Sequence, residues 1–182
     1  LLLVSEWNIN RKETQFWGMA QVPIMLKTFS ELVQSGADKL DFWNAQFQPT
    51  SLALSGGALT AVGETFRYIA DNLIGKAVYD VETNSDFLGG LFFEGEDSAI
   101  VTLSNLSDDE VLYNFEYDGL AENYVFTKIG FLEVDESWAD GVFRDHTDLE
   151  VYNEPHLPGS IYWIDYDAIL SPTVNIDLSA YQ

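Results

Sequence analysis

Two short stretches hold side chains whose types and spacing can do chemistry on a sugar. The first is Ser5-Glu6-Trp7-Asn8, directly after four apolar residues; the second is Phe42-Trp43-Asn44-Ala45-Gln46, at the end of a run that starts at Lys39. A flat indole stacks on the C–H face of a pyranose, while carboxylates and carboxamides bond its hydroxyls. A carboxylate can also attack an anomeric carbon, which gives a covalent glycosyl-enzyme intermediate. Glu6 is the carboxylate in these stretches, Trp7 and Trp43 are the indoles, and Asn8, Asn44 and Gln46 are the carboxamides.

Such groups act together only if the chain brings them to one place. Residues 1–5 form a short, continuous apolar run, as expected for a strand buried on both faces of a parallel sheet. Over residues 15–34 apolar side chains recur at three and four, which predicts an amphipathic helix, kinked or restarted at Pro23 and closed by Gly36. Residues 39–43 read as a second strand. A loop containing Ser55-Gly56-Gly57 leads to a second helix over 59–74, ended by Gly75. The order strand, helix, strand, helix with short connections predicts a βαβα unit with parallel strands and a right-handed crossover. Ligands in such folds sit at the carboxyl ends of the strands. That rule sets Glu6, Trp7, Asn8, Trp43, Asn44 and Gln46 on one rim. Trp7 can equally pack under the following helix, and Asn44 and Gln46 can equally cap loop backbone. Asp41 either contacts the site from below or faces a neighbouring helix.

Beyond Asp80 the periodicity changes. Residues 87–93, 99–104, 111–117, 124–134, 149–152, 161–164 and 174–178 are short runs rich in Val, Ile, Phe and Tyr, separated by turn-formers. Strands at this spacing predict an antiparallel sandwich. The charge changes at the same place. Residues 1–78 hold seven acids and six bases, a net charge of −1, whereas residues 79–182 hold 23 acids against Lys128 and Arg144, a net of −21. Two modules with different surfaces are expected, 1–78 and 79–182. The acidic one repels nucleic acid and anionic membrane, so neither is an expected partner.

The same reading excludes other chemistries. There is no cysteine, hence no disulfide framework and no thiolate metal site. His146 and His156, the two histidines, have no nucleophile elbow to serve. Asp145 to Glu150 lacks the pattern of a calcium loop, and Ser55-Gly56-Gly57 is followed by no lysine. No cofactor is expected. Asn105-Leu106-Ser107 matches the glycosylation acceptor pattern, but no glycan is expected there. No apolar run approaches the roughly 18 residues of a membrane span.

Taken together, LLLVSEWN, a helix of about twenty residues, SGADKLDFWN, a loop, and a helix running into a β-module resemble the end of a clan A retaining glycoside hydrolase. The likeness is greatest to families 39 and 51. It implies a fold that is α/β followed by all-β: the last βαβα portion of a (β/α)8 barrel joined to an antiparallel β-sandwich. It implies that Glu6 is the nucleophile and Trp43 the platform under the cleaved sugar, with Trp7 and Asn8 at the rim. The clan's acid/base glutamate lies at the end of the fourth strand, which has no counterpart in these residues, so a fragment of a larger enzyme is expected. The implied substrate is an oligo- or polysaccharide, and the implied location is extracellular or periplasmic. The alternative is a non-catalytic carbohydrate-binding or adhesion protein on a degenerate barrel.

The charge asymmetry makes one measurable claim. Exposed like charges repel and are screened over about 10 Å at 0.1 M salt. The thermal midpoint of the acidic module should therefore hold or rise as NaCl is added. A midpoint that falls steadily with salt contradicts this.

Overall fold

The computed structural model describes residues 1–8, 21–43, 52–54, 57–85, 88–105, 107, 109–116, 125–134, 158–169 and 173–178. Within them the chain runs β1 (Leu3–Trp7), α1 (Gln21–Gln34), β2 (Lys39–Phe42), α2 (Ala61–Asn72), β3 (Ala77–Asp80), β4 (Leu88–Glu94), β5 (Ala99–Asn105), β6 (Val111–Glu116), β7 (Phe126–Val134), β8 (Gly159–Ile169) and β9 (Thr173–Leu178). No described helix is long and apolar enough to cross a membrane. The chain divides into two compact units. One comprises Leu1–Ile74 with Leu132–Ser160, the other Gly75–Phe131 with Ile161–Gln182.

In the first unit, β1 and β2 pair in parallel, as the βαβα reading expects. The helix α1 buries Gln21, Val22, Met25, Leu26 and Ser30. These recur at three and four, so one stripe of the helix is inward. Pro23 lies within the described helix, and residues 15–20 of the expected helix lie outside the described residues. The helix closes at Gly36, whose φ of 86° only glycine adopts without strain. The Gly36 N–H donates to the Val33 carbonyl at 2.9 Å and the Ala37 N–H to that of Leu32 at 3.2 Å, a Schellman closure.

The helix α2 starts two residues later than expected, because Thr60 is its cap rather than its interior. The Thr60 hydroxyl accepts from the Gly63 N–H at 3.0 Å. Ahead of the cap, Ala53 bridges Leu59, and the Thr60 N–H donates to the Leu52 carbonyl at 2.9 Å. This small loop lies directly on the first turn of α2. A Cβ added to Gly63 would stand 1.8 Å from the Leu52 oxygen.

In the second unit, β3, β4 and β5 form an antiparallel sheet in which Val78, Phe93 and Ile100 share one register row and Tyr79, Phe92 and Val101 the next. Alternation along β4 buries Leu91 and Phe93, the latter to 1% exposure. The sequence reading did not anticipate β3. Gly75 and the end of α2 leave it four residues, too few to show a period. The strands β6 and β9 pair antiparallel, and β7 pairs with β8. The expected strand at 149–152 lies outside the described residues.

Two side chains tie this unit together. The Tyr113 hydroxyl, on β6, donates to the Ser104 carbonyl on β5 at 2.8 Å and lies 3.3 Å from the Gly89 carbonyl on β4. Asn105 is fully buried, and its carboxamide accepts from the Ser107 N–H at 2.9 Å and donates to the Asp109 carbonyl at 2.7 Å. The asparagine of the Asn-Leu-Ser tripeptide is thus used to fold the turn from β5 to β6.

Two outcomes follow from these contacts. Gly63→Ala should cost about 2 kcal/mol or more, since backbone must move to admit the methyl; equilibrium denaturation checks this. Burial pushes the Tyr113 phenol up from its ordinary 10.0 to about 12. The folded state therefore holds this proton more tightly than the unfolded chain does. Its stabilising share is complete below pH 10 and is lost as pH climbs through about 12. Tyr113→Phe should cost about 1 to 2 kcal/mol at neutral pH, because the Ser104 carbonyl loses its donor. It should also flatten the fall in stability above pH 10. An unchanged alkaline limb would show that another group controls it.

Candidate functional site

The carboxyl ends of β1 and β2 emerge together. In register, Val4 opposes Leu40 and Trp7 opposes Phe42, with an irregularity between. β1 advances three residues there while β2 advances two, so Ser5 and Glu6 together face Asp41. This is a β-bulge, a feature that bends a strand and re-aims side chains beside functional sites. Burial follows the resulting faces. Trp7 is buried and Val4, Leu40 and Phe42 are half-buried, whereas Leu3, Ser5, Glu6, Lys39 and Trp43 are exposed.

Aromatic contacts identify the inner face. The Trp7 ring meets Phe42 edge-on at 5.0 Å and 84°, and meets Phe29 of α1 at 6.3 Å. Phe42 in turn meets Phe66 of α2 at 5.3 Å. Four rings therefore bind both strands to both helices, through one edge-on and two tilted contacts. Trp7 is 7% exposed. Of its two expected placements, rim or beneath the following helix, its ring takes the second. Its indole Nε1 has no hydrogen-bond partner among the described residues.

The outer face carries the polar groups. Glu6 is exposed, and Trp43 keeps 55% of its surface open to solvent. Asp41 pairs with Lys39, Oδ2 to Nζ, at 3.1 Å. Lys39 and Asp41 are two apart on one strand, so they share a face, and it is the face opposite Phe42. Asp41 therefore lies on the Glu6 side of the sheet and not against a helix. The strand ends are also bonded to each other. The Trp43 N–H donates to the Trp7 carbonyl at 3.0 Å, and the Asn8 Nδ2 donates to the Trp43 carbonyl.

Of the residues singled out in the sequence, Glu6, Asn8 and Trp43 thus converge on one end of the parallel pair. Asn44, Gln46, His146 and His156 lie outside the described residues. Among the described residues no three His, Cys, Asp or Glu side chains are grouped to hold a metal. The sequence reading missed the supporting ring of Phe29, Phe42 and Phe66. Its one signal was the placement of Phe29 and Phe66 on the apolar stripes of the two helices.

No family model matches the sequence, and no curated protein matches it. Solved structures do. A GH30 endoxylanase from Clostridium papyrosolvens C71 is similar over 99% of this chain and 39% of its own, with a TM-score of 0.58 and 12% identity. The glycoside hydrolase family 30 subfamily 8 xylanase Xyn30A from Clostridium acetobutylicum is similar over 98% of this chain and 40% of its own, with a TM-score of 0.58 and 10% identity. At such identity the likeness is one of fold. The chain spans about two-fifths of the length of these enzymes.

Proposed function

We propose that this chain carries the last two strand–helix units of a clan A (β/α)8 glycosidase, residues 1–78, and an acidic β-sandwich, residues 79–182. In this reading the reaction is retaining hydrolysis of a glycosidic bond. The observation that carries it is the pairing of β1 with β2: an exposed carboxylate and an exposed indole leave the same end of a parallel pair whose ends are joined by the Trp43 N–H bond to the Trp7 carbonyl. The fold shared with family 30 xylanases over nearly the whole chain supports the same assignment.

The chemistry is that of two carboxylates. Glu6 attacks the anomeric carbon, and the bond to the leaving oxygen breaks. That oxygen takes a proton from a second carboxylic acid about 5 Å away. Water, deprotonated by the same second group, then releases the sugar from Glu6. In this reading the second group is a glutamate of the fourth barrel strand, outside these 182 residues. Trp43 floors the subsite of the cleaved sugar, and Asn44 and Gln46 bond its hydroxyls. Asn8 stands at the rim, and Trp7 supports it from beneath. Since the fold neighbours are named xylanases, the substrate class proposed is xylan-type polysaccharide, met outside the cell or in the periplasm.

Titration with xylohexaose tests this. Saturable binding is expected, weakened tenfold or more by Trp43→Ala, about 1.4 kcal/mol, and little changed by Glu6→Gln. The chain alone should hydrolyse no aryl xyloside above background. Absence of binding at millimolar ligand would remove the proposal. Turnover abolished by Glu6→Gln would overturn the assignment of the proton donor to another segment.

A further inference from the structure

In a regular parallel ladder, carbonyls and N–H groups of the two strands alternate as partners until one strand leaves the sheet. The carbonyl that follows the last pair is then left to water or to a side chain. At this rim the last register pair is Trp7 with Phe42, and one further backbone bond runs from the Trp43 N–H to the Trp7 carbonyl at 3.0 Å. Among the described residues the donor to the Trp43 carbonyl is a side chain, the Asn8 carboxamide. A side chain on β1's exit thus closes the ladder on β2's last residue. It does so one residue beyond the buried Trp7 and two beyond the exposed Glu6.

We infer that Asn8 is a positioning residue for the Trp43 indole. Both backbone polar groups of Trp43 are held by β1 and the residue after it, the N–H by the Trp7 carbonyl and the carbonyl by the Asn8 side chain. With its peptide groups fixed on both sides, the Trp43 Cα–Cβ direction is set relative to β1, and so relative to Glu6. The indole itself is 55% exposed. Packing alone therefore restrains it little, and the backbone strap orients it. The inference rests on the proposal that Trp43 is a sugar platform beside Glu6, and it moves Asn8 from sugar contact to support of that platform.

Hydrogen exchange on the 182-residue chain gives the test. Asn8→Asp keeps the size and shape of the side chain but removes the donor, and sets an acceptor against the Trp43 carbonyl. The Trp43 amide should then exchange at least tenfold faster, and the Trp43 indole N–H resonance should shift. Amides of α2 and of β4 and β5 should keep their protection. Asn8→Gln, which retains the donor on a longer arm, should restore part of the Trp43 protection. Unchanged exchange at Trp43 in Asn8→Asp overturns the inference. So does a loss spread equally over α1 and α2, which would make Asn8 a residue of general stability. Exchange needs no ligand, so the two proposals fail separately. If the strap behaves as stated and xylohexaose still does not bind, the sugar reading falls and the strap stands.

Discussion

The parallel pair of β1 and β2 depends on one buried contact, the indole of Trp7 set edge-on against Phe42. A two-stranded sheet has two open edges and gains little stability by itself. Here each strand contributes one large ring to a common face, and each helix contributes another, Phe29 from α1 and Phe66 from α2. Burying apolar surface is worth roughly 25 cal/mol per Å², and an aromatic ring is the largest single contribution a strand this short can make. Everything polar at the rim follows from that choice of face. Once Trp7 and Phe42 point to the helices, their neighbours Glu6 and Trp43 must point away. The buried ring and the exposed carboxylate are two results of one alternation, with the bulge at Ser5 and Glu6 adjusting where along the strand the carboxylate appears.

The second unit has a different problem. Its sequence is strongly acidic, and repulsion between exposed carboxylates opposes compactness. The antiparallel sheets meet this by alternation, which sets Leu91 and Phe93 inward while Glu94, Glu96 and Asp97 stay accessible. Polar side chains that do enter the interior carry structure. Tyr113 crosses from β6 to the carbonyls of β5 and β4, and Asn105 organises the turn between β5 and β6. A buried polar group without such partners is costly, whereas these are satisfied and fix which strands adjoin.

What the sequence determined by itself is the order and kind of the elements. Apolar residues at three and four marked the first helix, Gly36 and Gly75 marked helix ends, and the positions of Glu6 and Trp43 at the ends of two short strand-like runs marked one rim. These are local properties, written in spacing and in backbone freedom, and they need no partner to be read. Tertiary structure decided the rest. Whether Trp7 faced the rim or the helix turned on Phe29 and Phe66, residues 22 and 59 positions away in the sequence. The face taken by Asp41 turned on the pairing of Phe42 with a helix, and β3 became a strand because β4 lay beside it. The bond from Asn8 to Trp43 spans 35 positions. Side-chain direction on a short strand is a choice between two faces. That choice is made by the apolar surface available on each, which exists only once the chain has folded.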